Sequence, residues 1–149
     1  MATIDPDPDA VVIDANVAVA WVIDRPYSTE AMAFINTAYT LVAPDLLVAE
    51  AGNALGYYVR TNILSPAQAI DGYRLITSTL EFVPAMELNV HALDISMRTG
   101  HSIYDCFYLA LASQRGLPVA SADRKLNEIG ARLGVRTMEL TRNQETTQT

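Results

Sequence analysis

The stretch Ala10-Val11-Val12-Ile13-Asp14-Ala15-Asn16-Val17-Ala18-Val19-Ala20-Trp21 decides the fold. A short apolar run, mostly β-branched, fits a strand and ends abruptly at an acid; Asn16 can then cap a helix reaching Val22. The same alternation continues down the chain. A helix is predicted over Ser28–Ala38 with Ser28 as its cap, then a strand over Thr40–Ala43, and Pro44 opens a long helix to about Arg60. Ser65-Pro66-Ala67-Gln68 is a capping box with proline in the first helical position, and its helix runs to about Thr79. A strand at Glu81–Val83 precedes helices over Leu88–Thr99 and Ser102–Arg115, stopped by Gly100 and Gly116. Leu117–Ala120 reads as a strand, Asp123–Leu133 as a helix ended by Gly134, and Val135–Leu140 as the last strand. Strands alternating with helices, without a tight hairpin signal, imply an α/β fold with a largely parallel sheet. Such sheets bind ligands just beyond the carboxyl ends of their strands.

The composition suits one such domain. The chain has 149 residues, half of them hydrophobic and 18% charged, which excludes disorder for the bulk of it. Residues 1–9 are expected to form a flexible lead-in, 10–140 the domain and 141–149 a flexible tail. The lone Cys106 excludes a disulfide framework or a cysteine zinc cluster and suits a reducing compartment. The acidic, polar start lacks the pattern of a secretory signal, and no apolar run reaches the ~18 residues of a membrane span, so a cytoplasmic location is expected. Ten Lys+Arg against seventeen Asp+Glu give a net charge of -7, which argues against a surface that grips nucleic acid by charge alone. A local basic rim around an acidic, cation-filled site remains compatible with that balance.

Four acids stand in apolar company. Asp14 closes the first strand, where a capping Asp and an Asp at a ligand crevice are both compatible with the pattern. Glu50 is the single charge between Asp45 and Arg60 and shares a narrow helical stripe with Asn53 and Tyr57, as expected for a half-buried face at a site. Asp105 sits three residues after Ser102, as in a capping box, yet its neighbours from Ile103 to Leu111 suggest deep placement. Asp123 follows a strand and precedes a helix, again with capping as the simpler reading. If all four converge within ~5 Å at an effective dielectric of ~20, the pairs repel by about 20 kcal/mol in total. That exceeds a typical folding free energy of ~5–15 kcal/mol. A cluster of this kind has to be protonated, solvated or neutralised by a cation. With oxygen donors, no cysteine cluster and only His91 and His101 available, the cation favoured is Mg²⁺ or Mn²⁺.

With these residues in view, the sequence resembles the PIN-domain family and, within it, the VapC-type toxins of type II toxin–antitoxin pairs. The resemblance is carried by VVIDANVAVAW around Asp14, APDLLVAEAGNAL around Glu50, SIYDCFYLALA around Asp105 and VASADRKL around Asp123, in the family's order. It implies a Rossmann-like three-layer α/β/α fold and a Mg²⁺- or Mn²⁺-dependent endoribonuclease with Asp14, Glu50, Asp105 and Asp123 as its acidic quartet. Asp14, Asp105 and Asp123 would hold the metal, with Asn16 and Ser121 standing where relatives carry Ser or Thr. Arg124 and Lys125 could touch the RNA backbone, although a solvated first-turn pair explains them equally well. The resemblance also implies a homodimer and a small cognate antitoxin, with the helices around residues 31–38 and 63–80 as contact surfaces. His101 is expected to have a loop or capping role, Cys106 to be a small core residue, and Trp21, Tyr57, Tyr58, Tyr104, Phe107 and Tyr108 to be mostly core. Rival readings are a Mg²⁺-dependent phosphatase using Asp14 as nucleophile, which would want an acid at Asn16, and a PIN-like domain with an RNA-processing or purely protein-binding role.

Overall fold

A computed structural model describes residues 9–141. The five strands are β1 (Ala10–Ile13), β2 (Thr40–Pro44), β3 (Glu81–Val83), β4 (Val119–Ser121) and β5 (Thr137–Glu139). They form one sheet in the order β3-β2-β1-β4-β5, and every neighbouring pair is parallel. The helices are α1 (Ala15–Val19), α2 (Ser28–Ile35), α3 (Leu46–Arg60), α4 (Pro66–Thr79), α5 (Asn89–Thr99), α6 (Ile103–Arg115) and α7 (Arg124–Arg132). Helix α3 packs against both α1 and α4, whereas α5 lies along α6 and α6 crosses β1, β2 and β4. Parallel strands need crossovers, and covering both sheet faces leaves the central strands dry: Val11, Val12, Ile13 and Val119 have no exposed surface. The α/β class and the parallel sheet agree with the expectation.

Chain direction reverses beside β1. Strands β1, β2 and β3 step outward on one side, and the chain then returns to place β4 on the other side of β1. A crevice at the carboxyl ends is the consequence of such a switch point. Val12 pairs with Val119 and Ile13 with Ala120, so Asp14 and Ser121 emerge side by side.

Several boundaries differ from the sequence reading, each for a local reason. Helix α1 is capped by Asp14, whose Oδ1 accepts from the Ala15 N–H at 2.7 Å, and it stops at Val19. Asn16 turns its amide across to β4 instead, accepting from the Ala122 N–H at 3.2 Å. Ser28 does not cap α2: its hydroxyl accepts from the Arg25 N–H and donates to the Ile23 carbonyl, closing the preceding loop. Pro44 is the last residue of β2, and α3 begins at Leu46. Ser102 makes no capping bond to α6, and Asp105, its expected box partner, faces His101 instead. The capping box of Ser65 and Gln68 is present with both bonds, and Gly100 and Gly116 end their helices at φ of 69° and 63°. The lead-in and tail expected to be flexible lie outside the described residues apart from Asp9 and Thr141. No described helix is long and apolar enough to cross a membrane.

Candidate active site

Asp14 is the centre of the crevice. It is buried, and besides capping α1 it accepts at Oδ2 from the Ser121 hydroxyl at 2.6 Å. Burial pushes its carboxyl from 3.8 up to about 7, and the charges of Asp105 and Glu50 push the same way against the Ser121 and Ala15 bonds. Ser121 is the hub between β1 and β4. Its hydroxyl accepts from the Asp123 N–H at 2.9 Å, and Asn16 Nδ2 approaches it at 3.4 Å. Beneath it, buried Asn127 donates to the Ser121 carbonyl at 3.0 Å.

Glu50 enters from the second turn of α3 and accepts at Oε1 from the Tyr108 hydroxyl at 2.9 Å. Burial raises its pKa, the Tyr108 bond opposes that, and Asp105 raises it further. Asp105 enters from the first turn of α6, where Oδ2 lies 2.7 Å from Nε2 of the buried His101 ring. Its carboxyl is raised by burial, lowered by the His101 bond and raised again by the Asp123 charge. Asp123 caps α7, with Oδ1 accepting from the Lys125 and Leu126 N–H groups. The four acids sequence reasoning selected therefore form one electrostatic cluster, in which each is coupled to at least one other.

Other expectations need correction. The Glu50–Asn53–Tyr57 stripe is not half-buried throughout: Asn53 and Tyr57 are exposed, and it is Ala54 and Tyr58, at i+4 and i+8 from Glu50, that share its cavity-facing side of α3. Tyr104 is also exposed, whereas Trp21 and Tyr108 are core. Arg124 forms an exposed ion pair with Glu128 at 3.3 Å, and Lys125 is exposed beside it. Sequence reasoning missed the site roles of His101 and Tyr108. Both stand one helical turn from Asp105, at i−4 and i+3, and that spacing was the available signal. A cavity of about 590 Å³ opens beside the acids, with Asn16, Glu50, Arg25, Tyr27, Tyr58 and Leu140 on its walls.

Hard oxygen donors, on acids whose pKa values are raised by burial and further by one another's charges, suit a divalent cation in charge and chemistry. The ligand set Asp14, Asp105 and Asp123 is not closed around one point, and no group of three His, Cys, Asp or Glu among the described residues is arranged to hold an ion. The reason is local, since each carboxylate is turned to its own donor: Ser121 and Ala15, His101, or the start of α7. One or two carboxylates completed by water are sufficient for Mg²⁺. Of the charges that act on Asp14, that of Asp105 acts more strongly than that of Glu50.

Fold and site together define an α/β domain with an acidic centre at the switch point of a parallel sheet. The chain belongs to the PIN domain family, whose model matches residues 11–132. It is 26% identical over 124 residues to "Ribonuclease VapC3" of Pyrobaculum aerophilum, covering 79% of this chain and 92% of that one. Among solved structures it resembles PAE2754 from Pyrobaculum aerophilum, with a TM-score of 0.68 and 21% identity over 90% of this chain and 87% of that one. It also resembles VapBC2 from Rickettsia felis, solved bound to a DNA fragment from their promoter, with a TM-score of 0.64 and 11% identity over 89% of this chain and 99% of that one.

Proposed function

We propose that the protein is a Mg²⁺- or Mn²⁺-dependent endoribonuclease and the toxin of a toxin–antitoxin pair, with residues 10–140 as its catalytic domain. The observation that carries this reading is the coupled quartet of Asp14, Glu50, Asp105 and Asp123 at the switch point. Membership of the PIN domain family and similarity to a ribonuclease VapC3 support it.

Asp14 and Asp105 would hold the cation, which when bound polarises a phosphate oxygen and acidifies water. Ser121 and His101 keep those two carboxylates in place. Glu50, held by Tyr108 and raised above its ordinary value, is the group suited to take a proton from the attacking water. Asp123, at the rim, would hold further water. The phosphatase alternative lacks its second acid: residue 16 is Asn, whose amide oxygen accepts from the Ala122 N–H just past β4.

A cytoplasmic setting, an antitoxin and a second copy of the chain complete the proposal. Exposed Met32, Ile63, Ile70 and Leu75 on and around α2 and α4 offer apolar contact for the antitoxin, whose Arg could pair with the acids. Exposed Met86, Val90, Leu93 and Met97 recur at helical spacing along α5 and its entry, a face suited to pairing with its own copy.

The decisive assay is cleavage of total RNA with and without chelator. Asp14→Asn and Asp105→Asn should each reduce cleavage by roughly 10³-fold, the loss of several kcal/mol of metal-assisted catalysis, with unchanged circular dichroism. Equal cleavage by wild type and both variants would refute the assignment.

A further inference from the structure

The cavity beside the acids has a second wall that the cleavage chemistry leaves unused. Arg25, in the loop between α1 and α2, places its guanidinium 5.0 Å from the centroid of the Tyr58 ring on α3. Among the described residues no carboxylate pairs with it, whereas Arg74, Arg98 and Arg124 each pair with an acid on their own helix. A guanidinium held by an aromatic face keeps its forked N–H donors available for an anion. In a chain of net charge -7 this is a cation set next to the acidic crevice without a counter-ion among the described residues.

Tyr27 links the two walls. Its hydroxyl is raised chiefly by burial, lowered by the Arg25 charge and raised by the Asp14 charge, so both are within its electrostatic reach. Val19, Ala54 and Leu140 supply apolar surface between them. At about 590 Å³ the cavity lies within the ~300–1,000 Å³ range of small-molecule pockets, roomy enough for one nucleotide.

We propose that this cavity is a nucleotide subsite for single-stranded RNA: Arg25 takes a backbone phosphate next to the scissile one, and a base lies against the stacked Arg25 and Tyr58. The inference rests on the ribonuclease reading above and extends it from the cutting site to substrate selection. A base can enter a walled cavity only when it is free of its helix, which selects single strands over duplex. A negatively charged strand approaching four carboxylates also needs a compensating cation at its side, and Arg25 is the cation that lines this cavity.

The test separates binding from cleavage. Anisotropy of a fluorescein-labelled single-stranded oligoribonucleotide, measured in EDTA, reads binding alone. Arg25→Gln should weaken it about tenfold and reduce the salt slope by about 0.7, the value of one phosphate contact on a single strand. Arg25→Lys should keep the slope and recover only part of the affinity, because it lacks the planar fork. Arg115→Gln makes the same charge change at the far end of α6 and should behave as wild type. With Mg²⁺ present, the Arg25→Gln defect should fall on KM rather than kcat. If Arg25→Gln and Arg115→Gln bind and cleave RNA alike, the subsite is refuted while wild-type cleavage leaves the ribonuclease reading intact. An Arg25→Gln defect confined to a protein partner, with RNA binding unchanged, refutes the subsite as well. Arg25-dependent binding without any wild-type cleavage in Mg²⁺ refutes the ribonuclease reading and not the subsite.

Discussion

The β1–α1 and β4–α7 junctions are neighbours in the sheet, and each ends its strand close to an Asp that caps the next helix. They differ in what surrounds the carboxylate. Asp123 is half-exposed at the rim, and its Oδ1 accepts from two N–H groups of α7, where the helix start favours a negative group. Asp14 is buried, shares its crevice with Asp105 and Glu50, and is raised to about 7. Capping and site chemistry are therefore not rival explanations of an Asp. Burial decides whether the same capping residue stabilises the fold or strains it.

The largest expected effect tests the strain at Asp14. Its carboxyl has a value of 3.8 when unfolded and about 7 when folded, so the folded state holds the proton that the unfolded state has released between those values. Stability without metal should fall as pH rises from 4 to 7, by a contribution on the order of 4 kcal/mol, and level off above 7. Glu50 and Asp105 are raised as well and act in the same direction. Urea melts in EDTA at pH 5 and pH 8 capture the part of this loss that falls above pH 5, about 3 kcal/mol, which Asp14→Asn should largely remove. Millimolar Mg²⁺ should raise the melting temperature at pH 8, and less so in Asp14→Asn. A wild-type stability that stays level across this range would break the contrast between the two junctions.

Next in size is the residue that joins them. Ser121→Ala removes the donor to Asp14 and the acceptor for the Asp123 N–H, leaving buried groups unsatisfied. A loss of about 2 kcal/mol is expected at pH 8. In a double-mutant cycle with Asp14→Asn the two changes should couple by about 1 kcal/mol, against near-additivity if the junctions were independent.

The quartet was legible because its members break local patterns: Asp14 ends an apolar run, and Glu50 is a lone charge in an apolar helix. The strands were legible in position for the converse reason, since short apolar runs between caps and glycines interrupt the helical pattern, although β4 and β5 begin two residues later than Leu117 and Val135. What escaped is the long-range pairing of polar side chains. Asn16 looks like a cap in sequence, but the β4 backbone competes for its amide and Asp14 is already in the capping position. Ser102 and Asp105 have capping-box spacing, yet His101 offers the carboxylate a closer partner. Arg25 carries no sequence signal at all, because its partner Tyr58 is brought to it only when α3 packs behind α1.

The smallest effect is at the rim, and its sign completes the contrast. Asp123→Ala removes the acceptor for the first N–H groups of α7 and should cost about 1 kcal/mol. Asp123→Asn keeps an acceptor and should cost only a few tenths of that. The Asp123 carboxyl oxygen holds the first N–H groups of its helix, so its loss should lower the melting temperature in EDTA at pH 5 and pH 8 alike. Asp14→Asn should instead close the gap between those two conditions. If Asp123→Ala behaved like Asp14→Asn, raising stability at pH 8 alone, the rim carboxylate would share the interior strain, and burial would not be what distinguishes the two capping acids.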